Sequence, residues 1–419
     1  MTIQEELFRD PALVFTPTAP IDERSLFRGR RLQIRSVIRA VNQKGQHAIL
    51  FGERGVGKTS LANVISSFLQ APRQMQNILS PRVNCDSLDT FESIWKKVLD
   101  EIWMHRRIKH AGFGSNEETT YSSTELLGDS VSPDSVRRAL TIISQNALPI
   151  LIIDEFDRLQ TEVKRGIADT IKTLSDHAVS ATVVLVGVAD SVDELIEEHE
   201  SVERALIQVH MPRMSYREVE EIVTTGFIRL DLSVDPQALR RICALAQGLP
   251  HYAHLIGLEA ASLAIDFEDK TIDLQLLSKA IESAIGNSQE SVKRTWHQAT
   301  TSPRKDNLFA DVLLACALAE TDELGYFAAQ DVRLPLSEIL GRKVEIANYA
   351  QHLSDFRDDK RGPVLQRIGE KRRFRFRFKN PLMQPFVVMQ GFANSKISDQ
   401  LLVKIEQRAD DSNESQPPA

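Results

Sequence analysis

Residues 47–60 read His-Ala-Ile-Leu-Phe-Gly-Glu-Arg-Gly-Val-Gly-Lys-Thr-Ser. Ala48-Ile49-Leu50-Phe51 is a short apolar, strand-like run. Gly52-x-x-x-x-Gly57-Lys58-Thr59 is the full phosphate-binding loop pattern. Ser60–Leu69 follows with Leu61, Val64, Ile65 and Phe68 on one helical face. Strand, glycine-rich loop and helix in this order predict backbone N–H groups and a helix N-terminus that face a polyphosphate. The cradle is then Gly52, Glu53, Arg54, Gly55, Val56, Gly57, Lys58, Thr59 and Ser60. Lys58 reaches the β- and γ-phosphates, and Thr59 offers its hydroxyl to Mg²⁺. Gly55 and Gly57 lack a Cβ, so the backbone can take positive φ and approach the ligand closely. A chance glycine-rich turn is the alternative, and the flanking strand and helix weigh against it.

A second segment completes the site. Ile150-Leu151-Ile152-Ile153-Asp154-Glu155 is an apolar strand that ends in two carboxylates. Sheets of this type place ligands at the carboxyl ends of their strands. Asp154 would hold Mg²⁺, directly or through water, and Glu155 would orient and polarise the attacking water. Phosphoryl transfer needs this division, because the protein contributes mainly positioning and charge stabilisation.

Outward from these segments, strands and helices alternate. A helix is predicted to open at Leu26-Phe27-Arg28-Gly29-Arg30 and run to about Asn42, with a strand at Arg82–Cys85, a helix from Thr90 to about His110, and a mobile polar surface insertion over 111–134. Ser135–Asn146 and Ile167–His177 read as helices, and Thr182–Gly187 as another buried strand. The fold class is α/β, a parallel sheet with helices on both faces. From Pro212 the pattern turns all-helical: Tyr216–Leu230, Pro236–Ala246, His251–Ala264 and Leu274–Ile285 form a lid, and 286–304 a polar connector. Helices at Leu308–Ala319, 328–340 and 345–356 then precede strands at Val364–Ile368 and Arg372–Phe378, the order of a winged helix. The expected domains are a leader (1–24), the nucleotide domain (25–211), the lid (212–290), a winged helix (305–392) and a polar tail (393–419), disordered beyond about 408.

Bulk properties limit the alternatives. The 419 residues are 42% hydrophobic and 26% charged, as in ordinary globular proteins. No apolar stretch approaches a membrane span. Met1–Glu6 lacks a basic region followed by an apolar core, so no signal peptide is expected. Cys85, Cys243 and Cys316 are isolated, which suggests a reducing cytoplasm. The net charge of −7 argues against a protein coated with nucleic acid, though it leaves room for a local basic patch.

Asp154-Glu155-Phe156-Asp157-Arg158-Leu159 resembles the D-E-x-D-x-L signature of the origin-recognition and replication-initiator clade of AAA+ ATPases. Phe27-Arg28-Gly29-Arg30 is similar to the F-x-G-R box of that clade, which the related STAND signalling ATPases share. The resemblance implies that Phe27 and Arg28 lie near the adenine. It implies a sensor 1 residue after strand 182–188, here Asp190 or Ser191. It implies an arginine finger ahead of the last sheet strand, here Arg204, supplied to a neighbouring subunit, with Arg213 as a second candidate. Gly248-Leu249-Pro250-His251 stands where sensor 2 carries an arginine, so His251 is the candidate there. Histidine is only partly charged near neutral pH.

In Glu370–Lys379, Phe374, Phe376 and Phe378 share one strand face, and Arg373, Arg375 and Arg377 the other. The arginines could contact the phosphates of duplex DNA, or meet an acidic protein partner. The helix near 344–356 is not basic, which speaks against base reading in the major groove. The cluster His105, Arg106, Arg107, Lys109, His110 reads more simply as a solvated helix end. The sequence thus predicts a Mg²⁺-dependent ATPase switch with two possible outputs. One is DNA or a DNA-associated complex; the other is a protein partner, as in STAND-type signalling.

Overall fold

The computed structural model describes residues 10–21, 27–70, 77–108, 117–196, 200–303, 307–322, 324–370, 373–398, 401–402 and 404. They fall into two compact units. The sheet unit takes in the described residues of 21–53 and 58–211; the helical unit takes in those of 1–20, 54–57 and 212–419.

The sheet unit runs α1 (Arg31–Asn42), β1 (His47–Gly52), α2 (Lys58–Gln70), β2 (Ile78–Leu79), β3 (Arg82–Asn84), α3 (Phe91–Asp100), β4 (Trp103–Ile108), β5 (Glu117–Ser122), α4 (Pro133–Ile143), β6 (Leu148–Asp154), α5 (Thr161–Asp176), β7 (Thr182–Val188) and β8 (Leu206–His210). The main sheet has the order β2-β6-β7-β1-β8, with β3 also beside β6, and every pairing in it is parallel. Residues of β1 and β6 are buried throughout. Ile49, Leu151, Ile153, Val183 and Leu185 share a core with α3, α4 and α5. The alternate residues Leu50, Ile152 and Val184 are also buried. Two covered faces explain why these strands read as continuous apolar runs.

The helix expected to open at Leu26 starts only at Arg31. Another expected helix is shorter than its periodicity suggested. The apolar face of α3 ends with Val98 and Leu99, and the Ile102 amide then turns back onto the Leu99 carbonyl at 3.1 Å. Trp103–Ile108 does not continue the helix; it pairs antiparallel with Glu117–Ser122. The region expected as a helix end and an unstructured insertion therefore contains a β-hairpin. Lys109, His110 and the rest of 109–116 lie outside the described residues.

The helical unit contains α6 (Tyr216–Arg229), β9 (Ser233–Val234), α7 (Pro236–Ala246), α8 (Pro250–Asp266), β10 (Thr271–Ile272), α9 (Leu274–Asn287), α10 (Glu290–Thr300), α11 (Phe309–Ala317), β11 (Phe327–Ala328), α12 (Arg333–Leu340), α13 (Ala350–Asp355), β12 (Leu365–Ile368), β13 (Arg375–Phe378) and α14 (Met383–Ala393). Helix starts carry their caps: a Ser215–Glu218 capping box opens α6, and Asp235 followed by Pro236 opens α7. Strands β11, β13 and β12 form an antiparallel sheet in that order. The segment expected as a polar connector contains α10, which buries Val292 and Ala299 and sets Trp296 against Phe386 at 6.2 Å. Helix α14 is buried on nearly all sides, so its sequence shows no amphipathic period. Leu401 and Leu402, within the expected tail, are buried; residues 405–419 lie outside the described residues.

The one-turn helix Pro11–Val14 belongs to the helical unit and leads to Phe15, which is fully buried. Phe15 meets Phe227 edge-on at 5.3 Å. A Cβ added to Gly226 of α6 would lie 2.2 Å from the ring, and one added to Gly257 of α8 would lie 2.5 Å from it. The two helices thus hold the ring in a socket that requires glycine on both sides. Within the expected irregular leader, residues 10–17 form a strap packed into the helices.

Candidate nucleotide site

β1 delivers the chain to the loop, and α2 starts at Lys58 immediately behind it. A Cβ on Gly52 would fall 2.4 Å from the Met211 carbonyl oxygen, so packing beyond β8 requires the motif's first glycine. Gly55 and Gly57 take φ of +88° and +93°, the left-handed backbone that lets successive amides turn toward one ligand. Lys58 is buried, and its Nζ donates to the carbonyls of Gly52 (3.0 Å) and Glu53 (2.7 Å). The ammonium is thereby held over the loop, where a phosphate oxygen would meet it. The Ser60 hydroxyl accepts from the Ile21 amide at 3.1 Å and anchors the chain that precedes the F-x-G-R box.

At the tip of β6, Asp154 is buried, and its Oδ2 accepts the Thr59 hydroxyl at 2.8 Å. Its Oδ1 accepts the Glu155 amide at 2.8 Å. A hydroxyl and a carboxylate in contact at the start of α2 are a donor set that suits Mg²⁺, a hard cation that takes oxygen ligands and keeps several waters. Glu155 has left-handed φ and ψ of 55° and 35°. Its carboxylate is half-exposed and pairs with Arg158 at 2.7 Å. Asp157 accepts the Val188 amide at 2.8 Å, which fixes the end of β7 against the turn after β6. Asp190 and Ser191 follow that strand end, and the Asp190 amide donates to Glu194 at 3.2 Å.

Phe27 is buried edge-on to Phe68 of α2 at 6.5 Å, and Arg28 donates to the Phe27 carbonyl at 2.9 Å. Arg204 is exposed just ahead of β8, and its carbonyl accepts from Gln46 at 2.8 Å. His251, near the start of α8, donates its Nδ1 proton to the Pro17 carbonyl at 2.7 Å, and burial holds its pKa below the ordinary value. It is therefore a neutral tether for the strap. His254, one turn on, accepts the Thr16 amide through Nδ1 at 3.2 Å, and burial lowers its pKa to about 4. Arg213 donates to Gln384 at 2.7 Å and to the Gln247 carbonyl at 3.4 Å.

On β13 the arginine row is engaged internally. Arg375 pairs with Asp322 at 2.7 Å. Arg377 donates to the Leu324 carbonyl at 3.1 Å and lies over the Tyr326 ring at 4.5 Å. Arg373 is exposed and precedes the strand, because its amide closes a turn onto the Glu370 carbonyl. Phe376 and Phe378 are buried as the alternation predicted.

Sequence reasoning missed two contributors. Arg82, on β3, reaches Asp154 at 3.1 Å. Its only signal was an arginine at a strand position whose neighbour in the sheet was not yet known. Phe15 left a fainter trace in Gly226 and Gly257, glycines within otherwise regular helices.

A parallel sheet with a phosphate loop after β1 and Asp154-Glu155 at the tip of β6 defines a P-loop NTPase. More particularly, the chain belongs to the novel STAND NTPase 1 family, whose profile matches residues 20–347. Among solved structures, it is similar to the ORC2 protein of Aeropyrum pernix, determined as ADPNP–ADP complexes. That match has 15% identity and a TM-score of 0.51, and covers 94% of this chain and 97% of the other. It is also similar to Cdc6p of Pyrobaculum aerophilum, with 13% identity, a TM-score of 0.46, and 95% and 98% coverage. No curated protein matches it by sequence. Among the described residues, no helix is long and apolar enough to cross a membrane.

Proposed function

We propose that the protein is a Mg²⁺-dependent ATPase switch of the STAND type, whose C-terminal region (305–392) is a winged helix that engages a protein partner. The observation that carries this reading is the Thr59–Asp154 contact of 2.8 Å, beside a lysine held over its own loop. Lys58 and the loop amides would bind the triphosphate and take up the charge that develops on it. Thr59 and Asp154 would hold Mg²⁺, which when bound would neutralise charge between the β- and γ-phosphates. Glu155 would leave Arg158 to orient the attacking water and accept its proton. Arg204, exposed ahead of β8, suits an arginine finger offered to a second subunit, so assembly would complete the site. Asp190 or Ser191 would serve as sensor 1.

The competing output is duplex DNA through the wing. The engaged state of Arg375 and Arg377 favours the protein partner, because phosphate contact would have to displace Asp322 and the Tyr326 ring. One preparation tests both parts. The Glu155→Gln protein, incubated with ATP and Mg²⁺, should retain unhydrolysed ATP and co-purify with protein but no nucleic acid. Unchanged turnover would remove Glu155 from the mechanism. Salt-sensitive duplex binding that disappears in Arg373→Ala/Arg375→Ala/Arg377→Ala would replace the protein partner with DNA.

A further inference from the structure

The Arg82 guanidinium joins three elements around the proposed metal position. Its Nη1 donates to Asn63 Oδ1 at 2.8 Å. Its Nη2 donates to Asn84 Oδ1 at 3.1 Å and to Asp154 Oδ2 at 3.1 Å. Asn63 lies one turn after Thr59 on α2, so the two side chains share a helix face. Asn84 is the register partner of Asp154 across β3 and β6. The Asp154 oxygen that accepts the Thr59 hydroxyl is therefore the same one that pairs with the permanently charged Arg82 guanidinium. Arginine stays charged at every accessible pH, and its planar fork is fixed here at both ends. The Asp154 side chain is only 5% exposed, so water screens the pair weakly.

This arrangement has two electrostatic effects. A cation on Asp154 reduces the negative potential that would draw in Mg²⁺. It also reduces the repulsion between Asp154 and a triphosphate that arrives without metal. We propose that Arg82 is a positioning residue, a built-in counter-charge that lets the loop hold nucleotide in the absence of Mg²⁺ and loosens the metal's hold when it is present. Metal would then be required mainly for turnover, and retention of nucleotide would depend little on it. The proposal rests on the nucleotide-site reading above.

The test is the affinity for a fluorescent ATP analogue, measured in excess Mg²⁺ and in excess EDTA. In the wild-type protein the two dissociation constants should differ by less than about tenfold. In Arg82→Gln the ratio should widen by a further factor of about ten, the size of one charge-assisted contact. Mn²⁺ titration of the nucleotide-bound protein, followed by electron paramagnetic resonance, should show tighter metal binding in Arg82→Gln than in wild type. Asn63→Ala, which releases the guanidinium from α2 while leaving the charge in place, should widen the ratio by a smaller factor and serves if Arg82→Gln fails to fold. An unchanged ratio and unchanged Mn²⁺ affinity in the variants would overturn the role of Arg82. Wild-type protein that binds no nucleotide even in excess Mg²⁺ would instead overturn the nucleotide site itself.

Discussion

At the tip of β6, Asp154 draws the Thr59 hydroxyl, the Arg82 guanidinium and the Glu155 amide to its two oxygens, all within 3.1 Å. Along β13, Arg375 and Arg377 stand two residues apart, and each is held by a different group. Both regions announced themselves in the sequence as charged clusters, and the fold treats them differently. A strand end in a parallel sheet is surrounded by neighbouring strand ends and helix starts, so polar groups from distant parts of the chain converge there. A strand's side spaces its residues by nearly 7 Å, and each long side chain finds its own local partner. Charge at a strand tip is thus a better guide to chemistry than charge along a strand face.

Four measurements would break or sharpen that contrast. The largest effect is expected from Glu155→Gln, which should lower turnover by roughly 10² to 10⁴, the range for loss of a general base, while nucleotide affinity changes little. Single-turnover assays read this directly, and a fall of less than tenfold would detach the β6 tip from catalysis. Next, Lys58→Ala should weaken nucleotide binding by about a hundredfold, since a buried, charge-assisted contact is lost, and calorimetry would detect it. Retained affinity would mean that the loop does not act as a phosphate cradle.

Acid should then affect each unit through its own buried histidine. Burial lowers His47, within the sheet unit, to about 3 and His254, within the helical unit, to about 4. Both are neutral when folded and take up protons more readily when unfolded, near pH 6.5. Their stabilising effect is full above pH 6.5 and is lost as pH falls toward the folded values. The loss is on the order of 3 kcal/mol for His254. Denaturant titrations of His254→Asn should show a flatter dependence between pH 6.5 and 4; an unaltered slope would place the acid sensitivity elsewhere. The smallest effect belongs to β13. Arg375→Ala should cost about 1 kcal/mol or less, because its pair with Asp322 is partly exposed. A larger cost, read from thermal unfolding, would make the arginine row a structural element of its own.

How far the sequence could be read follows the same division. The phosphate loop, β6 and its carboxylates were legible because each is a continuous segment whose spacing carries its mechanism. Arg82 was not, because its role depends on β3 lying beside β6, and strand order does not appear in local patterns. The β-hairpin at 103–122 was hidden because Ile102 and Trp103 extend the helical period of α3 by chance, while the partner strand lies fourteen residues downstream. Helix α14 was missed for the opposite reason: buried on nearly all sides, it has no polar face to mark a period. His251 stands where the resemblance places sensor 2, and its Nδ1 proton is committed to the Pro17 carbonyl of a strap that no pattern predicted.

The Phe15 socket has a consequence for how the parts of this protein can be exchanged. The spacing of α6 and α8 is set by an aromatic ring more than two hundred residues upstream, with a glycine facing it from each helix. This helical region, transplanted into a relative without residues 10–17, would carry its glycines but not the ring that fills the space between them. The unit's inheritable module is therefore discontinuous, and chimeras that cut the chain between the strap and residue 212 should be made in matched pairs.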